Sequence, residues 1–296
     1  MGIRGGAGSR RAVAKMTRPI GARRPALAPS AFGSRAIVVV IAAIFAIPII
    51  SMLEFTLRDG NGSHTLDHWF SLFNPANTAR YAPIWVGLGN SFVLCIAAVA
   101  IVLLLLAPTM VLISLRFPRL RRAMEFLCLL PLSIPAIVLV VGLAPVYLVI
   151  GRTVGTGIWP LSLAYGITVL PYAYRAIQAN IDAIDIATMA EAARSLGASW
   201  TTVLVRVLAP NLRTGLLAAS LLAVAVVLGE FTIASLLNRQ NLQTALFVVN
   251  KQDPYVSVIL SLLALAFAFA LLLVIDRSAA VTRGGRRGIR SRKGTA

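Results

Sequence analysis

Charge is scarce in this sequence of 296 residues. Asp, Glu, Lys and Arg make up 13% of it against 58% hydrophobic residues, and the mean hydropathy is +0.84. Soluble globular domains carry about 25% charged residues, so the composition excludes one and implies a chain that crosses a membrane several times. Acids are scarcer still, 10 Asp and Glu against 28 Lys and Arg, for a formal net charge of +18. Such an excess signals nucleic acid only where the basic residues form a folded patch, so their placement has to decide. There are two histidines and two cysteines. His64 and His68 share one segment, while Cys95 and Cys128 lie in separate apolar runs towards opposite sides of the expected membrane, where they cannot easily pair. No nucleophile, base and metal ligands converge, which argues against a membrane-embedded enzyme. No GxxxxGK[ST] phosphate loop is present, and no inverted repeat of the kind that marks secondary transporters.

What the sequence does have is long apolar runs. A spanning helix needs about 20 mostly apolar residues at about 1.5 Å rise each. Six runs qualify: Arg35 to Leu57, Trp85 to Leu115, Met124 to Ile150, Ile158 to Gln178, Thr214 to Leu237 and Tyr255 to Ile275. The expectation is an all-α polytopic membrane protein. A transmembrane domain covers 35–276, with a basic, disordered segment over 1–34 and a basic tail over 277–296. The second run is longer than a bilayer requires and should tilt or project. The third contains Pro131, Pro135 and Pro145, which should kink or interrupt it.

Orientation follows from Lys and Arg between the runs, which accumulate on the cytoplasmic side. One side takes eight up to Arg35, four from Arg116 to Arg122, four from Arg175 to Arg213 and seven from Arg277 to Lys293. The other has only Arg58, Arg80, Arg152, Arg239 and Lys251. Both termini are therefore expected in the cytoplasm of a cell or inner membrane. The basic excess becomes an orientation signal with lipid as its neighbour, and no nucleic-acid partner is expected. The N-terminal "SRRAVAK" lies too far from the first apolar run to be an export signal, and Met16 is an alternative start.

On the outer side, "HTLDH" would put His64, Asp67 and His68 on one helical face, a spacing that could hold a metal. The plainer reading is a solvated face beside Trp69, Phe70, Leu72 and Phe73, and no metal is assigned. On the inner side, the segment over about 179–213 carries "EAARSLGASWTTVLVRVLAP". Its first half favours helix from Ile186 to Leu196, with Ala187, Ala190, Ala192 and Ala193. Gly197 stands where a helix ends, Ser199 can cap a second helix, and Pro210 follows that helix's end. Small alanines allow a partner to approach closely, with Glu191 and Arg194 at the rim.

These residues resemble the EAA loop of binding-protein-dependent ABC importer permeases. Glu191, Ala192, Ala193, Gly197, Ala198, Val207 and Pro210 match its pattern, with Leu196 and Ala209 as departures where the family often has Asp and Leu. "RFPRLRRAMEFLCLLPLSIPAIVLVVGL" and "LPYAYRAI" resemble the family's third and fourth spans, and "LGEFTIASLL" resembles its polyamine and phosphonate branch. The resemblance implies a type I importer permease fold and an ATPase-coupling role for Glu191, Ala192, Ala193, Arg194, Gly197 and Pro210. It also implies the partners: a second permease subunit, identical or paralogous, two cytosolic ATPases that hydrolyse ATP with Mg, and an extracytoplasmic substrate-binding protein. The chain itself would bind no cofactor and catalyse nothing. Polyamine, phosphonate, ferric iron, thiamine and oxyanion importers share this architecture.

Glu230 is the one acid well inside a run, which makes it costly and a candidate for function. Two readings stand: it faces the substrate path, or it pairs structurally near the outer interface.

Overall fold

The computed structural model describes residues 31–270 and Leu273. The expected segments over 1–34 and 277–296 lie outside them, except that residues 31–34 begin the first helix. The chain divides after Ser51 into two compact units. The first, where described, is the greater part of α1, Ala31–Leu57, whose most apolar stretch has no buried residue.

The second unit is a helical bundle. Its helices are α2 (Asp67–Ser71), α3 (Pro75–Arg116), α4 (Arg121–Leu129), α5 (Ala136–Thr153), α6 (Leu161–Asp182), α7 (Ile186–Ser195), α8 (Trp200–Asn211), α9 (Arg213–Gly229), α10 (Thr232–Leu236), α11 (Leu242–Asn250) and α12 (Pro254–Ala270). No strand occurs among the described residues. By length and composition α1, α3 and α5 can each cross a membrane alone. The other expected spans correspond to α6, α9 with α10, and α12. α6 is long enough but more polar, because much of its surface meets other helices instead of lipid: Tyr165, Val169, Ala173 and Ile177 are buried in the core.

Proline placement explains the irregularities. α3 runs for 42 residues, about 63 Å at 1.5 Å per residue, which is about twice the hydrocarbon thickness. Its π-helical turn, Val102–Leu106, precedes Pro108. A proline offers no N–H to the carbonyl four residues back and crowds it, and the wider turn relieves both problems. α8 repeats the device, with a π turn over Val203–Leu208 ahead of Pro210. This corrects the expectation that Pro210 follows the end of that helix: the helix continues to Asn211 before bending 80° into α9. The third expected span is broken outright. Leu130–Ser133 is a 3-10 turn and Ile134 is extended (φ −103°, ψ 120°) ahead of Pro135, so α4 and α5 are separate helices.

Small residues set the closest helix approaches. Gly215, Ala219, Ala223 and Val227 of α9 are buried at intervals of four, one stripe facing α6. A Cβ on Gly215 would stand 2.6 Å from the Asn180 Cβ and 3.1 Å from the Ala176 carbonyl oxygen. Gly87 of α3 similarly admits α11: its Cβ would lie 2.6 Å from the Asn241 carbonyl oxygen and 2.7 Å from the Ala245 Cβ.

The "HTLDH" segment differs from the one-face expectation. α2 begins only at Asp67, so His64 is not on it and instead bridges to Arg58. The His68 ring stacks on Tyr255 at 3.9 Å, and Tyr255 stacks in turn on Phe55 at 4.9 Å. Among the described residues no three side chains are grouped to hold a metal. Glu54 pairs with Arg58 at 2.8 Å, and both cysteines are free and buried.

Candidate functional site

The turn between α7 and α8 is built from local chemistry. Asp185 caps α7 by accepting from the Thr188 backbone N–H at 3.1 Å and from its hydroxyl at 2.7 Å. The Thr188 hydroxyl, followed by the backbone N–H, holds the Asp185 carboxyl below its ordinary value. At the other end Ala198 N–H donates to the Ala193 carbonyl at 3.1 Å and Gly197 N–H to the Arg194 carbonyl at 2.9 Å. This is the paired closure of a Schellman motif, which requires a left-handed residue, and Gly197 has φ +84°. Ser199 then accepts from Thr202 N–H and starts α8, as expected.

α7 turns two different faces to its surroundings. Ile186 and Ala190 are buried in the bundle core, with Val203 and Leu208 of α8 beside them. Ala187, Thr188, Glu191, Ala192 and Ser195 are exposed, a face of short side chains with one carboxylate. Glu191 makes no ion pair among the described residues. Leu196 projects beside the turn, 89% exposed. Gly197 and Pro210 are also exposed, and Ala193 is half-buried.

Arg194 is committed within the chain. Its Nη1 donates to the Ala198 carbonyl at 2.7 Å, and its guanidinium lies 5.4 Å from the Trp200 ring centroid. Arg116, at the end of α3, lies 4.9 Å from the same centroid. An open pocket of about 340 Å³ lies here, lined by Leu115 and Arg116 of α3, by Ala187, Ala190, Glu191 and Arg194 of α7, and by Trp200.

Glu230 sits elsewhere, at a break in the fifth expected span. α9 stops at Gly229, Glu230 is extended (φ −83°, ψ 116°), and α10 starts at Thr232. Its Oε1 accepts from Ile233 N–H at 2.8 Å, which caps α10. The structural role seen for Glu230 is therefore a helix cap, and it makes no ion pair among the described residues. Asn241, fully buried, fastens this break by donating to the Glu230 carbonyl at 2.5 Å and to the Tyr165 hydroxyl oxygen at 2.9 Å. Ser91 accepts from Leu242 N–H at 2.8 Å on the neighbouring turn.

Asn241, Tyr165, Arg116 and Trp200 are absent from the residues singled out in the sequence. The Asn241-x-x-Thr244 capping box was a readable helix start, but it does not reveal that Asn241 also reaches Glu230. No sequence signal pairs Arg116 with Trp200.

A helical bundle with three helices long and apolar enough to cross a membrane, carrying an exposed Glu-Ala-Ala helix and Gly turn, is the build of a polytopic membrane protein. Residues 111–281, more than half of the chain, match the family of binding-protein-dependent transport system inner membrane components, and the chain belongs to that family. It is similar to "Probable ABC transporter permease protein y4fN" of Sinorhizobium fredii (strain NBRC 101917 / NGR234), with 28% identity over 256 residues and 82% of this chain covered. The chain spans only 45% of that relative's length.

Proposed function

We propose that this chain is one permease subunit of an ATP-driven importer in the cell or inner membrane. Two such subunits, identical or paralogous, form the substrate path. Two cytosolic ATPases supply the work by hydrolysing ATP with Mg, and an extracytoplasmic binding protein delivers the solute.

The observation that carries this reading is the exposed face of α7. A rigid helix with short side chains at Ala187, Thr188, Ala192 and Ser195, one unpaired carboxylate at Glu191 and the bare apolar tip Leu196 fits a groove on a partner. Glu191, Ala192, Ala193 and Gly197 form the contact itself, with Arg194 closing the turn behind it and Pro210 shaping α8. The orientation that the basic residues imply puts this face and both termini in the cytoplasm. Rigid-body movement of α7 and α8 then passes to the spanning helices.

The solute is a small polar molecule of the polyamine or phosphonate kind. One Glu230 carboxylate oxygen caps α10, and the other makes no hydrogen bond among the described residues, which leaves it available to a cationic solute such as a polyamine and gives no hold on an anionic phosphonate. The test is to purify the tagged chain together with the products of its neighbouring genes. A bound ATPase stimulated by loaded binding protein is expected, and its absence overturns the reading. The ligand held by the binding protein names the solute. Glu230→Gln should then lower its uptake; normal uptake removes Glu230 from the path.

A further inference from the structure

Arg116 ends α3, because Pro118 forces Phe117 out of helical geometry (φ −134°, ψ 56°). At that point its guanidinium meets Trp200, the first residue of α8, 4.9 Å from the ring centroid. Arg194 lies against the same ring at 5.4 Å and holds the Ala198 carbonyl at 2.7 Å. One indole thus engages two cations from two different elements, and its remaining exposure is 38%. Met110 and Val111 of α3 are buried in the same core as Ile186, Ala190 and Val203. Leu115 packs against that core.

We propose that Arg116, Trp200 and Arg194 form a clamp that makes the inner end of α3 and the α7–α8 turn one moving body. Force applied at α7 then reaches the 42-residue α3 directly, as well as α6 and α9, to which the turn is joined covalently. The clamp adjoins the exposed face of α7, since Arg116, Arg194 and Trp200 line the same open pocket as Ala187 and Glu191; α7 makes the docking contact and the clamp carries its movement on. Trp200 and Arg116 are positioning residues. The transmission role rests on the proposed ATPase docking; the clamp itself does not.

The two parts are tested separately in the full chain in nanodiscs, with Cys95 and Cys128 replaced by Ala and spin labels at Arg119 and at Thr201, which is exposed on α8 and outside the docking face of α7. Without any partner, the unsubstituted clamp should give one narrow inter-label distance. Trp200→Leu should raise the population at other distances about fivefold or more, as expected for losing two cation–π contacts. Trp200→Phe, which keeps an aromatic face, should restore most of the narrow distance, and Arg116→Ala should lie between. An unchanged narrow distance in Trp200→Leu overturns the clamp. So does a Trp200→Phe variant that is no better than Leu, since that result reports general packing.

With the ATPase bound, trapping by Mg-ATP and vanadate should leave the narrow distance unchanged. In Trp200→Leu it should shift the distance and uncouple ATP hydrolysis from the loaded binding protein, with ATPase retention unaffected. A distance that changes on trapping in the intact clamp overturns the single moving body. Failure of the ATPase to bind at all overturns the docking reading instead, and leaves the partner-free result to decide the clamp.

Discussion

Replacing Gly197 separates backbone conformation from packing. Its φ is +84°, and a Cβ there would find no atom within 4 Å. A side chain meets no neighbour, so the penalty is conformational. Holding an L-residue in the left-handed region costs about 1–2 kcal/mol, with a β-branched residue at the upper end, and Asn pays less. About 1–2 kcal/mol corresponds to roughly a 5- to 30-fold fall in the population of the closed turn. Gly215 is the contrast, because its Cβ would stand 2.6 Å from the Asn180 Cβ, so substitution there overpacks α6 against α9. Overpacking costs about 1–3 kcal/mol and falls on the stability of the bundle. The assay pairs thermal unfolding in detergent with stimulation of ATP hydrolysis by loaded binding protein in nanodiscs. Gly197→Val should lose stimulation yet unfold close to the unsubstituted protein, because the turn can open locally and relieve its strain while the bundle stays packed, and Gly197→Asn should keep most of the stimulation. Gly215→Val should unfold earlier. If Gly197→Val is stimulated normally, or if Val and Asn behave alike there, a left-handed turn is not what coupling requires.

Three further outcomes follow from the same structure. Asn241→Ala removes buried donors to the Glu230 carbonyl and the Tyr165 hydroxyl. It should destabilise the bundle by about 1–3 kcal/mol per orphaned group in chemical unfolding, and unchanged stability would contradict the network. Cys95 and Cys128 are both buried and free, so neither should react with a maleimide until the protein is unfolded; rapid labelling of either refutes the packing around it. Asp185, whose carboxyl is held below its ordinary value of 3.8, contributes its cap fully above that value. The contribution is lost as pH falls through the lowered one. A spin label at Ala192 should gain mobility only below about pH 4, and Asp185→Asn, a neutral cap, should abolish the transition; identical titrations would show that another group is responsible.

Much of the candidate site was legible because it is local. Ala-rich helix propensity, the Gly197 position and the Ser199 cap act within a few residues of one another, so the α7 turn appears in the chain order itself. The breaks at Pro131 and Pro135 were readable for the same reason: a missing N–H and a restricted preceding residue act on the adjoining turn. Pro210 does not end its helix because the π turn over Val203–Leu208, just ahead of it, relieves the clash it would otherwise cause. The π turn is built around Val203 and Leu208, both buried in the core, a placement that the chain order does not show.

Chain order alone sufficed for the class of the molecule. Apolar runs of spanning length, the bias of Lys and Arg among the segments between them and a Glu-Ala-Ala helix with its Gly turn need no knowledge of which helix touches which. The remaining polar residues take their roles from the packed fold. It turned Glu230 from an acid inside a span into the cap of a broken one, tied that break to Asn241 and Tyr165, and brought Arg116 and Arg194 onto one indole. The physical reason is separation along the chain. A cap or a turn is specified by its immediate neighbours, whereas a contact between α3 and α8 exists only once the small residues between the helices have set their distance.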